Sequence, residues 1–249
     1  MQAYDSIADL YDSFVQTELD IPFFLEEARR AGGDVLELMA GTGRVSLPLA
    51  EAGARLTCVD GSAEMLGVLR RKLDAGGWSA ELHAVDVRNL ALGRRFGLVI
   101  IPFHAFPEIT GRADQLRALL RIRNHLAEDG RLIVTLHNPA VRRTAIDGLL
   151  HLAADRPQPD GRLLAWVQQS ADDEGLVTVR EFFETYDARG MLVEKRLATL
   201  SFRLIERAPF EALIDEAGFA ADALYGDYAR APFDETRSPF MIWRLRRAG

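Results

Sequence analysis

The sequence predicts an α/β protein whose core is a doubly wound, mostly parallel sheet of seven strands, with an antiparallel β meander inserted into it. Short apolar segments alternate with stretches of helical periodicity over residues 34–136, as in sheets whose strands are joined by crossover helices. A run rich in Val, Leu, Phe, Thr and Tyr follows over residues 162–204 and is broken by the turns ADDEG and ARG, which is typical of antiparallel hairpins.

Composition is that of an ordinary globular protein. The 249 residues are 48% hydrophobic and 27% charged, which suits one α/β domain with an insertion. Thirty Lys and Arg against 37 Asp and Glu give a net charge of −7, so we expect no nucleic-acid partner. A lone cysteine, Cys58, cannot form an internal disulfide, and no Cys or His pair has zinc-ligand spacing, so no metal site is expected.

We expect a cytoplasmic protein that does not enter a membrane. The N-terminal segment carries acidic residues where a signal peptide has basic ones, and the first basic residue is Arg29. The most apolar stretch, residues 98–106, is shorter than the roughly 20 residues of a membrane helix and contains Pro102 and His104. This stretch is interpreted as a buried strand.

The chain begins with two predicted helices. Apolar residues of the first recur at the spacing of one helix face: Ile7, Leu10, Tyr11 and Phe14. The second begins near Asp20, a residue type that caps helices, has Pro22 in its first turn and ends at a pair of glycines.

Five apolar segments of strand length follow, separated by helical stretches: DVLELM, RLTCVD, ELHAVDV, FGLVIIPF and RLIVTL. Helices are predicted up to Gly53, over 62–76 and over 112–128. A last helix, PFEALIDEAGF, precedes two final strands around 224–228 and 240–244. These seven strands make up the predicted core sheet.

The segment DRPQPDGR, residues 155–162, contains the Pro, Gly and Asp residues typical of a connecting loop, and three meander strands are predicted after it. The chain is therefore divided into a ligand-binding core with N-terminal helices (1–160), the β insert (161–205) and a final helix with two strands (206–249). The insert is predicted to roof an acceptor pocket or to form a dimer surface, because it is rich in aromatic residues: Trp166, Phe182, Phe183, Tyr186 and Phe202.

The strongest functional signal is VLELMAGTGR, residues 35–44, where a strand runs into a Gly-x-Gly turn and then a helix. Such a turn lets a nucleotide-like ligand approach the backbone, although it also occurs as a plain tight turn. The next two strands end near Asp60 and Asp86, at the sheet edge where open α/β sheets bind ligands. The third small position of a dinucleotide fingerprint is Ser46 here, which weakens a pyrophosphate interpretation.

With these motifs the sequence resembles the class I S-adenosylmethionine-dependent methyltransferases, and the resemblance covers nearly the whole chain. It rests on ELMAGTG, VDGSAEML, AVDVRNL, FGLVIIPFHAF, LAEDGRLIVTLHNP and EALIDEAGF. More narrowly, the chain is similar to bacterial small-molecule N- and O-methyltransferases with an antiparallel insert, several of which act on amino sugars or natural products. The resemblance implies a Rossmann-like sheet. One departure is Met39, which stands at the first glycine of the family loop.

The resemblance also implies which residues hold S-adenosylmethionine. Glu37 would organise the loop, Asp60 would hold the ribose, and Asp86 with Val87 would bind the adenine edge. Met65 would pack on the adenine face or simply belong to the core, Tyr11 would close over the cofactor, and Phe103 would shield the sulfonium. The full set of implied cofactor residues is Tyr11, Glu37, Ala40, Gly41, Gly43, Asp60, Gly61, Met65, Asp86, Val87 and Phe103.

Two histidines are candidate catalytic residues. His104 follows the fourth strand and His137 the fifth, so both lie at the ligand edge of the predicted sheet. Either could take a proton from an acceptor, or serve only as a hydrogen-bonded loop residue. Glu108 is a further proton acceptor on the same loop, with a solvated surface position as its alternative.

The sequence therefore predicts methyl transfer from S-adenosylmethionine to N or O of a small molecule of amino-sugar or natural-product type, by a monomer or homodimer. Two alternatives remain at this point. One is an NAD(P)-dependent oxidoreductase, and the other is a protein of the same fold that binds S-adenosylmethionine without catalysis.

Overall fold

A computed structural model describes residues 2–249, with side chains from Tyr4 onward. The helices are α1 (Gln2–Asp5), α2 (Tyr11–Phe14), α3 (Ile21–Ala31), α4 (Ser46–Glu51), α5 (Ala63–Gly76), α6 (Arg112–His125), α7 (Pro139–Arg142) and α8 (Arg207–Glu216). The strands are β1 (Val35–Leu38), β2 (Leu56–Asp60), β3 (Glu81–Ala84), β4 (Phe96–Ile101), β5 (Leu126–His137), β6 (Leu150–Gln158), β7 (Gly161–Ala171), β8 (Leu176–Asp187), β9 (Leu192–Arg203), β10 (Phe219–Tyr225) and β11 (Phe240–Arg247).

The predicted fold class is confirmed. Seven strands form one sheet in the order β10-β11-β5-β4-β1-β2-β3, and all neighbours are parallel except β11, which is antiparallel to both β5 and β10. Strand β1 is buried along its whole length because helices cover both faces of the sheet. The carboxyl ends of β1, β2 and β4 therefore meet at one edge, where the glycine loop lies.

The antiparallel insert has four strands in the order β6-β7-β8-β9, one more than the three predicted. The additional strand is β6, which begins at Leu150, in the range assigned to the core, and includes part of the segment interpreted as a connection. Pro157 lies near the end of β6, and β6 is an edge strand, where a missing N–H donor is tolerated.

The first predicted helix is broken into α1 and α2, with turns between them. The predicted apolar face survives this break, since its residues pack together against the inner face of the insert: Ile7, Leu10, Tyr11 and Phe14. The strand predicted around 224–228 also lies earlier, as β10, because Gly218 turns the chain with φ +75° directly after α8.

Across the described residues, no helix combines the length and apolar character needed to span a bilayer.

The glycine loop after β1 contains three residues in the left-handed region: Met39 (φ 57°), Gly41 (φ 57°) and Gly43 (φ 89°). A Cβ on Gly41 would meet nothing within 4 Å, whereas a Cβ on Gly43 would lie 2.2 Å from Cδ1 of Leu69, a fully buried residue of α5. Gly41 therefore leaves open space above the loop, and Gly43 lets α5 pack against it.

This difference separates two otherwise similar substitutions. We expect Gly41→Ala to lower the free energy of unfolding by about 1–2 kcal/mol, from the left-handed backbone alone. Gly43→Ala adds an overlap with Leu69 and should cost roughly 1–3 kcal/mol more. Urea unfolding of the ligand-free variants measures both, and equal losses would contradict the packing role of Gly43.

Candidate active site

A cavity of about 640 Å³ opens at the carboxyl edge of the core sheet. Its size is within the usual range for small-molecule sites. The glycine loop and the ends of β2, β3 and β4 form its floor, the segment containing α1 and α2 closes one side, and the inner face of the insert contributes Glu181, Leu200 and Phe202. The cavity therefore lies between the core sheet and the insert.

Glu37 ties the first strand to the helix that follows the loop. Its side chain is 1% exposed, and Ser46 Oγ, in the first turn of α4, donates a hydrogen bond to Oε2 at 2.6 Å. Burial raises the pKa of Glu37 to about 8, and the Ser46 hydrogen bond offsets only part of that effect. The carboxyl is protonated and neutral at pH 7, so it organises the loop without placing a charge under it.

Asp60 holds the glycine loop from the neighbouring strand. The backbone N–H of Gly41 donates to Oδ2 at 2.8 Å, and that of Ser62 donates to Oδ1 at 2.8 Å. Burial raises the pKa of Asp60, while these two bonds act in the opposite direction. Each oxygen keeps a second acceptor position, so the carboxylate is equipped to receive two hydroxyl groups from a ligand in the cavity.

Asp86 and Val87 lie together after β3, at the next corner of the cavity. Arg88 donates to both oxygens of Asp86, at 2.6–2.9 Å, and holds the pKa of that carboxyl below its usual range. One acceptor position of Oδ2 remains. Val87 begins a short helical turn, so its N–H has no acceptor within that turn. Met65 also lines the cavity, from the first turn of α5, and is 2% exposed.

The turn after β4 has an unusual backbone. Phe103 (φ 55°) and His104 (φ 57°) are consecutive left-handed residues, and neither is glycine. The His104 N–H donates to Thr135 Oγ1 at 3.0 Å, and the Arg44 guanidinium lies 4.5 Å from the centre of the Phe103 ring. Strain of this kind persists only where surrounding contacts enforce it, and it clusters at functional sites. Both residues line the cavity.

The two predicted catalytic histidines are stacked on each other. Their ring centroids are 3.8 Å apart, and the Phe240 ring also stacks on His104, at 4.8 Å. Burial lowers the pKa of His137 to about 3 and holds that of His104 well below its ordinary value. Both rings are therefore neutral at pH 7. Nδ1 of His104 is buried and has no partner among the described residues.

The segment containing α1 and α2 is fastened to the site by polar contacts. Tyr4 donates to Oε1 of Glu108 at 2.7 Å and packs edge-on against Tyr11, with centroids 6.0 Å apart. Thr42 of the glycine loop donates to Asp12 at 2.6 Å. The segment is therefore bound to the floor of the cavity, and Glu108 is half-buried beneath it. Burial raises the pKa of Glu108 to about 7.

A second acid near Glu108 comes from the insert. Glu181 lies on the inner face of β8, is 7% exposed, and has no partner for Oε2 among the described residues. Burial, with a contribution from the nearby charge of Glu108, raises its pKa to about 7. Two carboxyls, one from the core and one from the insert, thus line one cavity.

Every predicted site residue except Gly43 lines this cavity: Tyr11, Glu37, Ala40, Gly41, Asp60, Gly61, Met65, Asp86, Val87, Phe103, His104 and His137. Gly43 faces Leu69 instead. Glu108 is half-buried in the cavity wall, in place of the solvated surface position considered for it. Of the aromatic residues in the insert only Phe202 reaches the cavity. Sequence reasoning missed Glu181, although an acid between Val179 and Phe183 at an inward strand position was a usable signal.

Residues 35–130 match the methyltransferase domain family. The chain is 29% identical over 136 residues to dTDP-3-amino-3,6-dideoxy-alpha-D-glucopyranose N,N-dimethyltransferase of Streptomyces fradiae, covering 51% of this chain and 52% of that protein. This match thus spans about half the length of the relative. The match to a methyltransferase domain favours S-adenosylmethionine over a nicotinamide dinucleotide.

Two further matches extend over more of the chain. The chain is 29% identical over 219 residues to the cypemycin N-terminal methyltransferase of a Streptomyces species, covering 87% of this chain and 84% of that protein. The solved structure of the CcbJ methyltransferase from Streptomyces caelestis superimposes with a TM-score of 0.83 at 25% identity, covering 99% of this chain and 98% of that one. The likeness therefore includes the insert as well as the core.

The buried Glu37 gives a test of the site's electrostatics. Its carboxyl is protonated in the folded protein up to about pH 8 but ionised in the unfolded chain above about pH 4.5. Folding therefore takes up a proton in this window, and stability falls as pH rises through it. Glu37→Gln keeps an acceptor for Ser46 and has no proton to lose.

We expect the free energy of unfolding of Glu37→Gln, relative to wild type, to increase by on the order of 2 kcal/mol between about pH 6 and about pH 8. Thermal or urea unfolding of the ligand-free proteins at the two pH values measures this. The same substitution at Glu51, an exposed residue of α4, is the control. A pH-independent difference would contradict the protonated state of Glu37.

Proposed function

The chain carries a class I, S-adenosylmethionine-dependent methyltransferase domain, and on this premise we propose that it methylates the amine nitrogen of a small molecule. The acceptor class we propose is an amino sugar or a related natural-product amine. The observation that carries the proposal is a continuous cavity that joins the glycine loop and Asp60 at one end to acidic and aromatic residues at the other.

The cofactor end of the cavity fits S-adenosylmethionine by its donor set. Open space above Gly41 admits a ligand against the loop backbone. Asp60 has acceptor positions for the two ribose hydroxyls, while the remaining acceptor of Asp86 and the Val87 N–H suit the adenine edge. Bound there, S-adenosylmethionine supplies a sulfonium methyl group.

The acceptor end lies around the turn that contains Phe103 and His104. Both relatives described above are named for methylation at nitrogen, one of an amino sugar and one of an N-terminus. The two names share methylation at a nitrogen, so an amine acceptor is the feature that we carry over to this chain.

The chain's own residues mainly position the reactants and exclude water. An in-line displacement needs the nucleophile about 3–3.5 Å from the methyl carbon, and holding it there supplies much of the rate. Phe103 and Tyr11 surround the reacting region with apolar surface. His104, neutral and with Nδ1 free to accept, is suited to orient an N–H of the acceptor, and the stacked ring of His137 fixes its plane.

We also propose that the protein works in the cytoplasm, where a reducing environment suits the buried free thiol of Cys58. We propose that it acts as a monomer or a homodimer, which sedimentation analysis distinguishes.

The direct test is transfer of a labelled methyl group from S-adenosylmethionine. The acceptors are dTDP-3-amino-3,6-dideoxyglucose, 3-amino-3-deoxyglucose and a peptide with a free N-terminus, each beside its hydroxyl counterpart. We expect labelled product from at least one amine. A protein that binds S-adenosylhomocysteine and labels none of the acceptors would instead support the non-catalytic alternative.

A second prediction concerns Asp60. Asp60→Asn keeps one oxygen for the backbone but removes the charge that binds ribose hydroxyls, and a hydrogen bond to a charged group contributes about 1.5–3 kcal/mol. We expect affinity for S-adenosylhomocysteine, measured by calorimetry, to fall roughly 10- to 100-fold. Asp74→Asn, on the exposed side of α5, is the control. Unchanged affinity in Asp60→Asn would contradict the ribose assignment.

A further inference from the structure

We propose that Glu108 and Glu181 form a carboxyl pair that binds the acceptor's ammonium group and takes its proton before methyl transfer. The inference rests on the proposed function and deepens it. It assigns recognition of the amine to two side chains, one from the core and one from the insert.

The placement of the two acids is the first argument. Glu108 ends a helical turn, residues 106–108, directly after the strained turn at Phe103 and His104. This helical turn packs against β9, the strand beside Glu181 on β8. Both carboxyls line the same cavity as Asp60 and the glycine loop. The pair therefore bridges the core and the insert across the space where an acceptor has to lie.

The second argument is that no cationic side chain among the described residues pairs with these acids. Within residues 4–249, whose side chains the structure describes, neither carboxyl forms an ion pair with Lys, Arg or His. Among the same residues, Glu108 accepts one bond, from Tyr4, and Oε2 of Glu181 accepts none. A buried acid without a partner destabilises a protein, and this cost is explained where a ligand completes the site.

The groups that face the pair set its charge. Tyr4 of α1 donates to Glu108, Tyr11 of α2 lies within the field of both acids, and Asp60 adds negative charge from the end of β2. Arg44 acts on Tyr11, but its guanidinium is engaged by Asp20. The pKa of each acid is raised to about 7, so near neutral pH the pair titrates as a coupled unit and retains a proton that a cation displaces.

An ammonium group matches this site in charge and in hydrogen bonding. It offers N–H donors and no acceptor, while the pair offers carboxylate oxygens, including the unpartnered Oε2 of Glu181. The rings of Tyr4 and Tyr11 add aromatic surface, which also attracts cations. A hydroxyl acceptor satisfies the hydrogen bonds but leaves the charge of the pair uncompensated.

The proton step balances within the site. The ammonium gives one proton to a carboxylate of the pair, which becomes a neutral carboxyl, and the nitrogen regains its lone pair. That nitrogen then forms a bond to the methyl carbon as the carbon–sulfur bond breaks and sulfur keeps the electron pair. The methylated nitrogen is again a cation, and the proton held by the pair leaves to water.

The pair is better suited to this role than His104. A general base works best when its pKa is close to the working pH. Burial holds the pKa of His104 well below its ordinary value, whereas it raises that of Glu108 and Glu181 towards neutrality. His104 is thereby left as a positioning residue for the acceptor.

The test uses isosteric variants of the full-length protein and the best amine acceptor from the labelled-methyl assay. We expect Glu181→Gln and Glu108→Gln to lower kcat/KM for the amine roughly 100-fold, while affinity for S-adenosylhomocysteine changes less than about twofold. Glu184→Gln is the matched control, because Glu184 lies on the same strand but on the outer face, where it bonds Lys195. That variant should keep wild-type kcat/KM.

A pH profile separates a proton-accepting role from a merely structural one. In wild type the acidic limb of kcat/KM should fall near pH 7, where the pair titrates. Glu181→Gln removes the negative neighbour of Glu108, so the limb should move to lower pH. A limb that stays in place, with kcat/KM retained, would overturn the proposal. So would wild-type protein that methylates the hydroxyl counterparts as fast as the amines.

Failure of the proposed function has a different signature, namely no labelled product from wild type with any acceptor. Binding still tests the pair in that event. Calorimetry of the S-adenosylhomocysteine-loaded protein with dTDP-3-amino-3,6-dideoxyglucose should give binding that Glu181→Gln weakens at least 10-fold. Equal binding in the two proteins, or no binding to wild type, would overturn the carboxyl pair.

Discussion

The site depends above all on the two hydrogen bonds that the Asp60 carboxylate receives from the backbone. One comes from Gly41 and fixes the glycine loop, and the other comes from Ser62 and fixes the start of α5. Ser62 in turn accepts from the N–H of Met65, which caps the helix and places Met65 in the cavity wall. A single side chain at the end of β2 thus joins strand, loop and helix into one floor.

The roof is attached to that floor through the N-terminal segment. Arg196 of β9 binds the Ser6 carbonyl and the Asp9 carboxylate, and Arg156 of β6 binds the Ser13 carbonyl. The segment therefore contacts the insert on one side and the glycine loop, through Thr42, on the other. Because the N-terminal segment lies between the two, its movement away from the cavity has to break polar contacts with the insert, the loop or both.

Local patterns were sufficient to predict the sheet and most of its floor, because strand periodicity, caps and glycine turns act over a few residues. They failed where contacts between residues far apart in the sequence determine the structure. Gly43 is required by Leu69 of α5, and the sequence gives no distance between the two. The break between α1 and α2 and the extra edge strand β6 follow from packing between them, since α2 contacts β6 and the apolar residues of the N-terminal segment pack on the insert. Glu181 was missed because its place in the cavity depends on the position of the insert over the core, and its own strand β8 is part of that insert.

The ionisable side chains of the cavity fall into two groups, those kept neutral by burial and those that carry negative charge. Glu37, His104 and His137 are all kept neutral by burial, so these three side chains offer hydrogen-bonding groups without charge. Negative charge is concentrated instead at Asp60 and at the acids between core and insert. The ribose hydroxyls of the cofactor at one end and an ammonium group of the acceptor at the other match this distribution. The insert therefore does more than cover the cavity. Without Glu181, the core alone offers the cofactor floor and only one of the two acids of the proposed cation-binding site.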